Sequence, residues 1–329
     1  MTARKGVLFA HLVVATAIFF TSMLADAAAA DRIRVAVQRT GTFAWELDVI
    51  KTHGLDRKAD LAIETLELAS TEAGKIAFKG GSADLMLSDW LWVARERSLG
   101  DNLVFYPSSS TLGAVMVAAN SPIKDILDLK GRRIAVAGGP LDKSWLMLQG
   151  LARRSGLDLR RAASVIYGAP PLLSQKQLQG ESDALLTFWN FCADLESKGQ
   201  RRAIEMDAVM RQLGAKAPVS IVGYTFDGNW AARNRSTVDR FLGVLQEAKA
   251  ILAANESEWV RLSPRIGASD AKALAIYRQR YAEGISHRPI AEEEADARAL
   301  YRVLAELGGP DLVGTAHDLD PGTFYRPEK

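Results

Sequence analysis

The sequence predicts an α/β protein of two lobes, one inserted into the other, and three observations lead there. Strand-like and helix-like stretches alternate from residue 32 to about 226, the chain turns almost wholly helical from Trp230 onward, and two ten-residue stretches match each other. Alternation of this kind builds mostly parallel sheets, because each helix carries the chain back to the start of the next strand.

Taken in order, "RIRVAVQ" (32–38) is a first strand and "AWELDVIKTHGL" (44–55) a helix stopped by Gly54. "LAIETLEL" (61–68) is the next strand. A capping start at Ser70 or Thr71 opens a helix over 70–81 that ends on glycines. "ADLMLS" (83–88) is a buried strand, followed by the helix "WLWVARERS", the strand "NLVFYPS" and the extended "GAVMVAAN" (113–120). A second α/β unit starts at "SPIKDILDLKGRRIAVAGG" and runs through "SVIYGA", "LLSQKQLQGES" and "DALLTFW". The chain is extended again over 217–226, and amphipathic helices follow. Segments 113–120 and 219–226 are the expected crossovers. They divide the chain into one lobe of 31–118 with 224–329 and another of 119–223, hinged near 118–122 and 219–224.

The internal match is between "GSADLMLSDW" (81–90) and "GESDALLTFW" (180–189). Each has Gly-x-x-Asp, an apolar run, a hydroxyl four residues after the aspartate (Ser88, Thr187) and a tryptophan six after it (Trp90, Trp189). Each reads as a buried strand that delivers a hydroxyl and an indole to its carboxyl end, where open α/β sheets bind ligands. Chance similarity over so few fixed positions is the alternative.

The 329 residues are 48% apolar, enough for one large or two medium cores. A balance of 41 basic against 39 acidic groups leaves no footprint for nucleic acid. Arg4 and Lys5, the apolar run from Val7 to Leu24 and the small-residue tract "ADAAAADR" read as an export signal cleaved near Ala30. An uncleaved anchor is the alternative, since the run approaches spanning length. No cysteine lies near the cleavage site, and the single Cys192 can form no internal disulfide. An exported, disulfide-free chain of this size fits a bacterial periplasm.

"RRIAVAGGPLDKSW" places Gly138, Gly139 and Pro140 between a strand and a helix. Such a turn points backbone N–H groups and the positive end of a helix dipole at one spot, or it is simply a tidy connection.

"SPIKDILDLKGRRIAV" resembles the Ser-x-Ile-x-Asp-Leu-Lys-Gly-x-x-Ile-Ala-Val segment of periplasmic solute-binding proteins of ABC importers. With the two Gly-x-x-Asp strands and "HGLDRKADLAIETLEL", the chain resembles the nitrate/sulfonate/taurine group, which is related to thiamine-precursor-binding proteins. The resemblance spans residues 32 to about 250. It implies a type II periplasmic-binding-protein fold whose two lobes, joined by two crossing strands, close on a small solute for a membrane permease. Family ligand positions map onto Thr40, Gly41, Thr42 and Phe43, onto Ser88, Asp89 and Trp90, and onto Ser108 to Thr111, with Ser109, Ser110 and Thr111 the favoured contacts. They also map onto Gly138, Gly139 and Leu141, and onto Trp189 and Asn190. The family's Gly-Leu-Phe after the first helix is His53-Gly54-Leu55 here, which leaves the subgroup open.

Tryptophans 45, 90, 92, 145, 189 and 230 fall near the expected cleft or hinges, which suits an aromatic, heterocyclic or hydrocarbon-bearing solute. Trp45 joins the candidate contacts, while Trp92 and Trp145 equally suit the core. A sulfonate or other oxyanion would use the helix start at 139–144, the Ser108–Ser110 hydroxyls and Lys143 or Arg39, although Lys143 reads equally as a solvated lysine. Asp89 pairs with a solute amine or caps the helix that begins at Trp90.

Catalysis is not expected. His53, His287 and His317 lie outside the cleft segments, and no metal spacing, phosphate loop or nucleophile elbow occurs. No cofactor or metal is expected, and the chain is expected to be a monomer. Some relatives of this fold are enzymes of thiamine-pyrimidine synthesis, and a periplasmic accessory protein that binds a protein partner is the other alternative.

Overall fold

The computed structural model describes residues 30–39, 41–268 and 270–328, so Thr40 and nearly all of the expected export signal lie outside the described residues. Ten strands form two five-stranded sheets. In the first, β1 (Asp31–Gln38), β2 (Leu61–Leu68), β3 (Leu85–Asp89), β4 (Leu103–Ser109) and β10 (Val222–Asp227) lie in the order β2-β1-β3-β10-β4. The second orders β5 (Gly113–Val117), β6 (Arg133–Ala137), β7 (Ser164–Gly168), β8 (Ala184–Phe188) and β9 (Arg201–Glu205) as β7-β6-β8-β5-β9.

The two orders are one topology used twice. In each, the first parallel strand pairs with the third, and a single antiparallel strand separates third from fourth. That intruding strand is β10 in the first sheet and β5 in the second. The sheets are therefore mixed, where the alternation alone suggested mostly parallel ones. β5 pairs with β8 and β9 and so belongs to the second sheet. The chain crosses between Ser109 and Gly113, upstream of the expected hinge at 118–122, and returns between Leu213 and Val222.

The internal match in the sequence is the central strand of each lobe. Asp84, ahead of β3, accepts hydrogen bonds from the backbone N–H of Arg34 at 2.8 Å and from its guanidinium at 2.5 Å. Arg34 also donates to the Gly81 carbonyl at 2.7 Å. Asp183 and Arg133 repeat the arrangement at 2.8 and 2.7 Å, with Gly180 accepting at 3.0 Å. Each clamp ties the start of the first strand to the start of the third and pins the register of the parallel pair on which the sheet is built.

The largest core runs through both lobes. It joins Met86, Trp90 and Phe105 of the first to Val115, Ile134 and Leu148 of the second, through Ala297, Leu300, Tyr301 and Leu304 of the long helix Ile290–Val313. Glu293 of that helix, fully buried, accepts from the Ser220 N–H at 2.9 Å and from the Ser286 hydroxyl at 2.6 Å. Asp296 accepts from the backbone of Lys216 at 2.9 Å, which straps the returning crossover to the helix.

Candidate functional site

The carboxyl ends of β1, β3, β6 and β8 meet along the seam between the lobes. The helix Thr42–His53 starts there with no side-chain cap and no acidic residue in its first turn, so the Thr42 and Phe43 N–H groups have no intrahelical partner, while the Ala44 N–H donates to Gly41. Gly41 supplies the cap position; its N–H donates to Gln38. Phe43 packs edge-on against Tyr224 at 5.1 Å. Trp45 is buried against Trp189 of the second lobe at 6.0 Å, and against Trp259 and Tyr277. Trp189 also meets Tyr277 and Tyr281, at 6.1 and 6.2 Å.

Beneath these rings lies a buried polar network. Glu46 accepts from Lys249 at 2.6 Å, from the Tyr281 hydroxyl at 2.9 Å and from Tyr224, and Lys249 reaches the Ser108 hydroxyl at 3.2 Å. The carboxylate and the ammonium neutralise each other, which is what makes a buried charge tolerable. Burial and the neighbouring Glu46 push both tyrosine hydroxyls well above their ordinary range.

At the end of β3, the Ser88 hydroxyl is buried and has no hydrogen-bond partner. The Thr187 hydroxyl, its equivalent at the end of β8, is in the same condition. Asp89 does two jobs: one oxygen caps the next helix by accepting from the Trp92 N–H at 2.9 Å, and the other meets Lys143 of the second lobe at 2.8 Å. Burial pushes the Asp89 carboxyl up, but Lys143 and the Trp92 N–H outweigh it and hold the group below its ordinary value.

The Gly138 turn is largely occupied by itself. Gly138, at φ 93°, donates to Gly168, and Gly139 accepts from Asp142. Asp142 caps the helix Lys143–Arg154 by accepting from the Trp145 N–H at 3.0 Å, so a protein carboxylate already fills the position sketched for an oxyanion. Burial lifts the Asp142 carboxyl to about 6. Leu141 is exposed, and Asn190 is half-buried.

Other expected contacts serve the scaffold. Trp90 is fully buried against Tyr301, 6.4 Å away, and belongs to the shared core, as Trp92 and Trp145 also do. Ser110 donates to the Gly284 carbonyl at 2.9 Å through its N–H, Thr111 donates to the Arg280 carbonyl, and Ser109 accepts from the Thr111 N–H. Ser110 and Thr111 thus fasten the first crossover to the end of the helix Ala271–Glu283, and Ser109 braces the crossover itself. Tyr224, Lys249, Trp259, Tyr277 and Tyr281 were not foreseen. The spacing of Tyr277 and Tyr281, one turn apart, is the only local trace they leave.

A model of the family described as "NMT1/THI5 like" matches residues 51–258. The chain belongs to the NMT1/THI5-like family. An Escherichia coli (strain K12) protein named for aliphatic sulfonate binding is 24% identical over 237 residues, 70% of this chain and 69% of its own length. The crystal structure of the periplasmic aliphatic sulphonate binding protein SsuA from Escherichia coli is similar with a TM-score of 0.69 at 20% identity, over 86% of this chain and 95% of that one. The alkanesulfonate-binding protein SsuA from Xanthomonas axonopodis pv. citri, bound to MOPS, also has a TM-score of 0.69, at 18% identity over 91% and 99%. The fold is thus that of SsuA-like periplasmic binding proteins. Within the NMT1/THI5-like match lie Ser88, Asp89, Lys143, Thr187 and Trp189, whereas Phe43, Trp45, Tyr277 and Tyr281 fall outside it. The rings of the seam thus combine Trp189 and Tyr224 from inside the match with residues from either side of it.

Proposed function

We propose that this chain is the solute-binding component of an ABC importer, exported to the periplasm, and that it takes a small organic sulfonate between its lobes for delivery to a membrane permease. One observation carries the reading: Ser88 and Thr187, at matching ends of the two central strands, are buried hydroxyls with no protein partner. Buried donors that the protein leaves unpaired are costly unless another molecule pairs them. The uncapped helix start at Thr42 and Phe43 adds backbone N–H donors suited to an anion, while the rings of Phe43 and Trp189 suit the organic part. The two relatives named for sulfonates support the choice of anion. The lobes of this reading are 31–112 with 222–329, and 113–221.

Titration calorimetry of the chain from Asp31 onward, with MOPS, short alkanesulfonates, sulfate, nitrate and aminopyrimidines, tests it. Saturable binding of one sulfonate per chain is expected, weakened about 10-fold or more in Trp189→Ala. Heat from the pyrimidines alone would replace the sulfonate, and a flat titration with every compound would overturn the solute reading. A second reading, a periplasmic accessory protein that binds a protein partner, is favoured by the packing of Trp45, Trp189, Tyr277 and Tyr281 on one another across the seam. In that case Trp189→Ala leaves partner binding intact.

A further inference from the structure

Among the described residues, two ion pairs cross between the lobes outside the buried hydroxyls. Lys143 meets Asp89 at 2.8 Å, with side chains 27% and 13% exposed. Arg280, on the helix Ala271–Glu283, meets Glu196, on the helix Trp189–Ser197, through two guanidinium nitrogens at 3.1 and 3.3 Å. Glu196 is held from its own lobe by Arg202, and Arg280 from its own side by Glu283 at 2.9 Å. The Glu196–Arg280 pair is therefore preset before the lobes touch, and Asp89 is held by its cap to the Trp92 N–H. Trp189 starts the helix that carries Glu196, and its ring sits among Trp45, Tyr277 and Tyr281.

We infer that Asp89–Lys143 and Glu196–Arg280 form a two-point electrostatic latch that holds the lobes closed around Trp189. Neither pair contributes to the fold of a single lobe, since in both cases one partner belongs to each. Half-buried pairs of this kind are worth more than surface ones, and removing one partner leaves a charge enclosed in the seam. The latch is a property of the closed lobes and stands whether the seam receives a sulfonate or a protein segment.

The test needs no ligand. Spin labels at Ile76→Cys in the first lobe and Leu172→Cys in the second, positions 75% and 52% exposed, report the distance between the lobes, and the buried Cys192 stays unlabelled. Lys143→Gln and Arg280→Gln are each expected to raise the population at long distance about tenfold or more. Asp89→Asn with Lys143→Gln should stay as open as the single variant, because the asparagine keeps the helix cap while the attraction between the lobes is gone, and a return to the unsubstituted distribution would overturn the latch. Asp89→Asn alone, which keeps the helix cap and leaves Lys143 without its partner, should open the lobes in the same direction. Folded single variants with the unsubstituted distance distribution overturn the latch. If Lys143→Gln or Arg280→Gln fails to fold, Asp89→Asn decides, and a distribution that it leaves unmoved overturns the latch equally.

Discussion

Asp142 is a carboxyl that its surroundings would prefer neutral. Its folded value of about 6 stands above the ordinary 3.8, so the folded chain binds this proton more tightly than the unfolded one. Stability from this group is present below the unfolded value and is lost as pH rises toward 6 and beyond. Asp142→Asn keeps an oxygen for the Trp145 N–H and removes the charge, so it should stabilise the chain by roughly 1 kcal/mol at pH 7.5 and by little at pH 4. Urea unfolding at the two pH values checks it; equal effects at both would assign the gain to something other than ionisation. The Glu46–Lys249 pair should behave in the opposite sense. Glu46→Gln leaves the Lys249 ammonium buried among Tyr224, Tyr281 and Ser108, and a loss of about 3 kcal/mol is expected in the same assay at neutral pH.

Part of the candidate site is legible residue by residue. Ser88, Thr187 and Trp189 stood out because the two lobes repeat a pattern, and repetition can be seen without knowing where a chain goes. Asp89 and Lys143 were each recognised, but their pairing was not, since it joins separate lobes. Lys249 and Tyr281 lie 203 and 235 residues from Glu46 and look like ordinary members of amphipathic helices. Only the packing of those helices on the first lobe makes them polar partners.

Among elements, strands were easier to find than to assign. "GAVMVAAN" was read correctly as extended, yet its allegiance to the second sheet comes from β8 and β9, whose sequences are distant. The Arg34–Asp84 and Arg133–Asp183 clamps left a trace that went unused: each arginine precedes its aspartate by 50 residues. Gly113 shows why the first crossover admits little variation. Its φ is 144°, and a Cβ there would stand 2.0 Å from the Thr187 carbonyl oxygen, in the β5–β8 ladder. Gly113→Ala should cost about 3 kcal/mol and should shift the β8 end that carries the Thr187 hydroxyl. Thermal unfolding reads the first effect. A variant as stable as the parent would mean that β5 and β8 can part without loss.

Over the whole molecule, the helix Ile290–Val313 ties the lobes on one side while the seam joins them on the other. Its carboxylates also hold the return crossover, so Glu293→Ala should loosen the backbone around Ser220. Faster amide hydrogen exchange over residues 216–221, with β1 and β3 unchanged, is the expected result, and uniform acceleration would instead indicate general destabilisation.

The strand order also sets a timetable for folding. All five strands of the second sheet lie in the contiguous stretch from Gly113 to Glu205. The first sheet has β10 in its middle, between β3 and β4, so it stays split until the chain is complete through Asp227. Contacts close in sequence form at lower entropic cost than distant ones. A newly made chain therefore finishes its middle before its beginning, and it keeps the facing edges of β3 and β4 open to other strands until β10 slides between them.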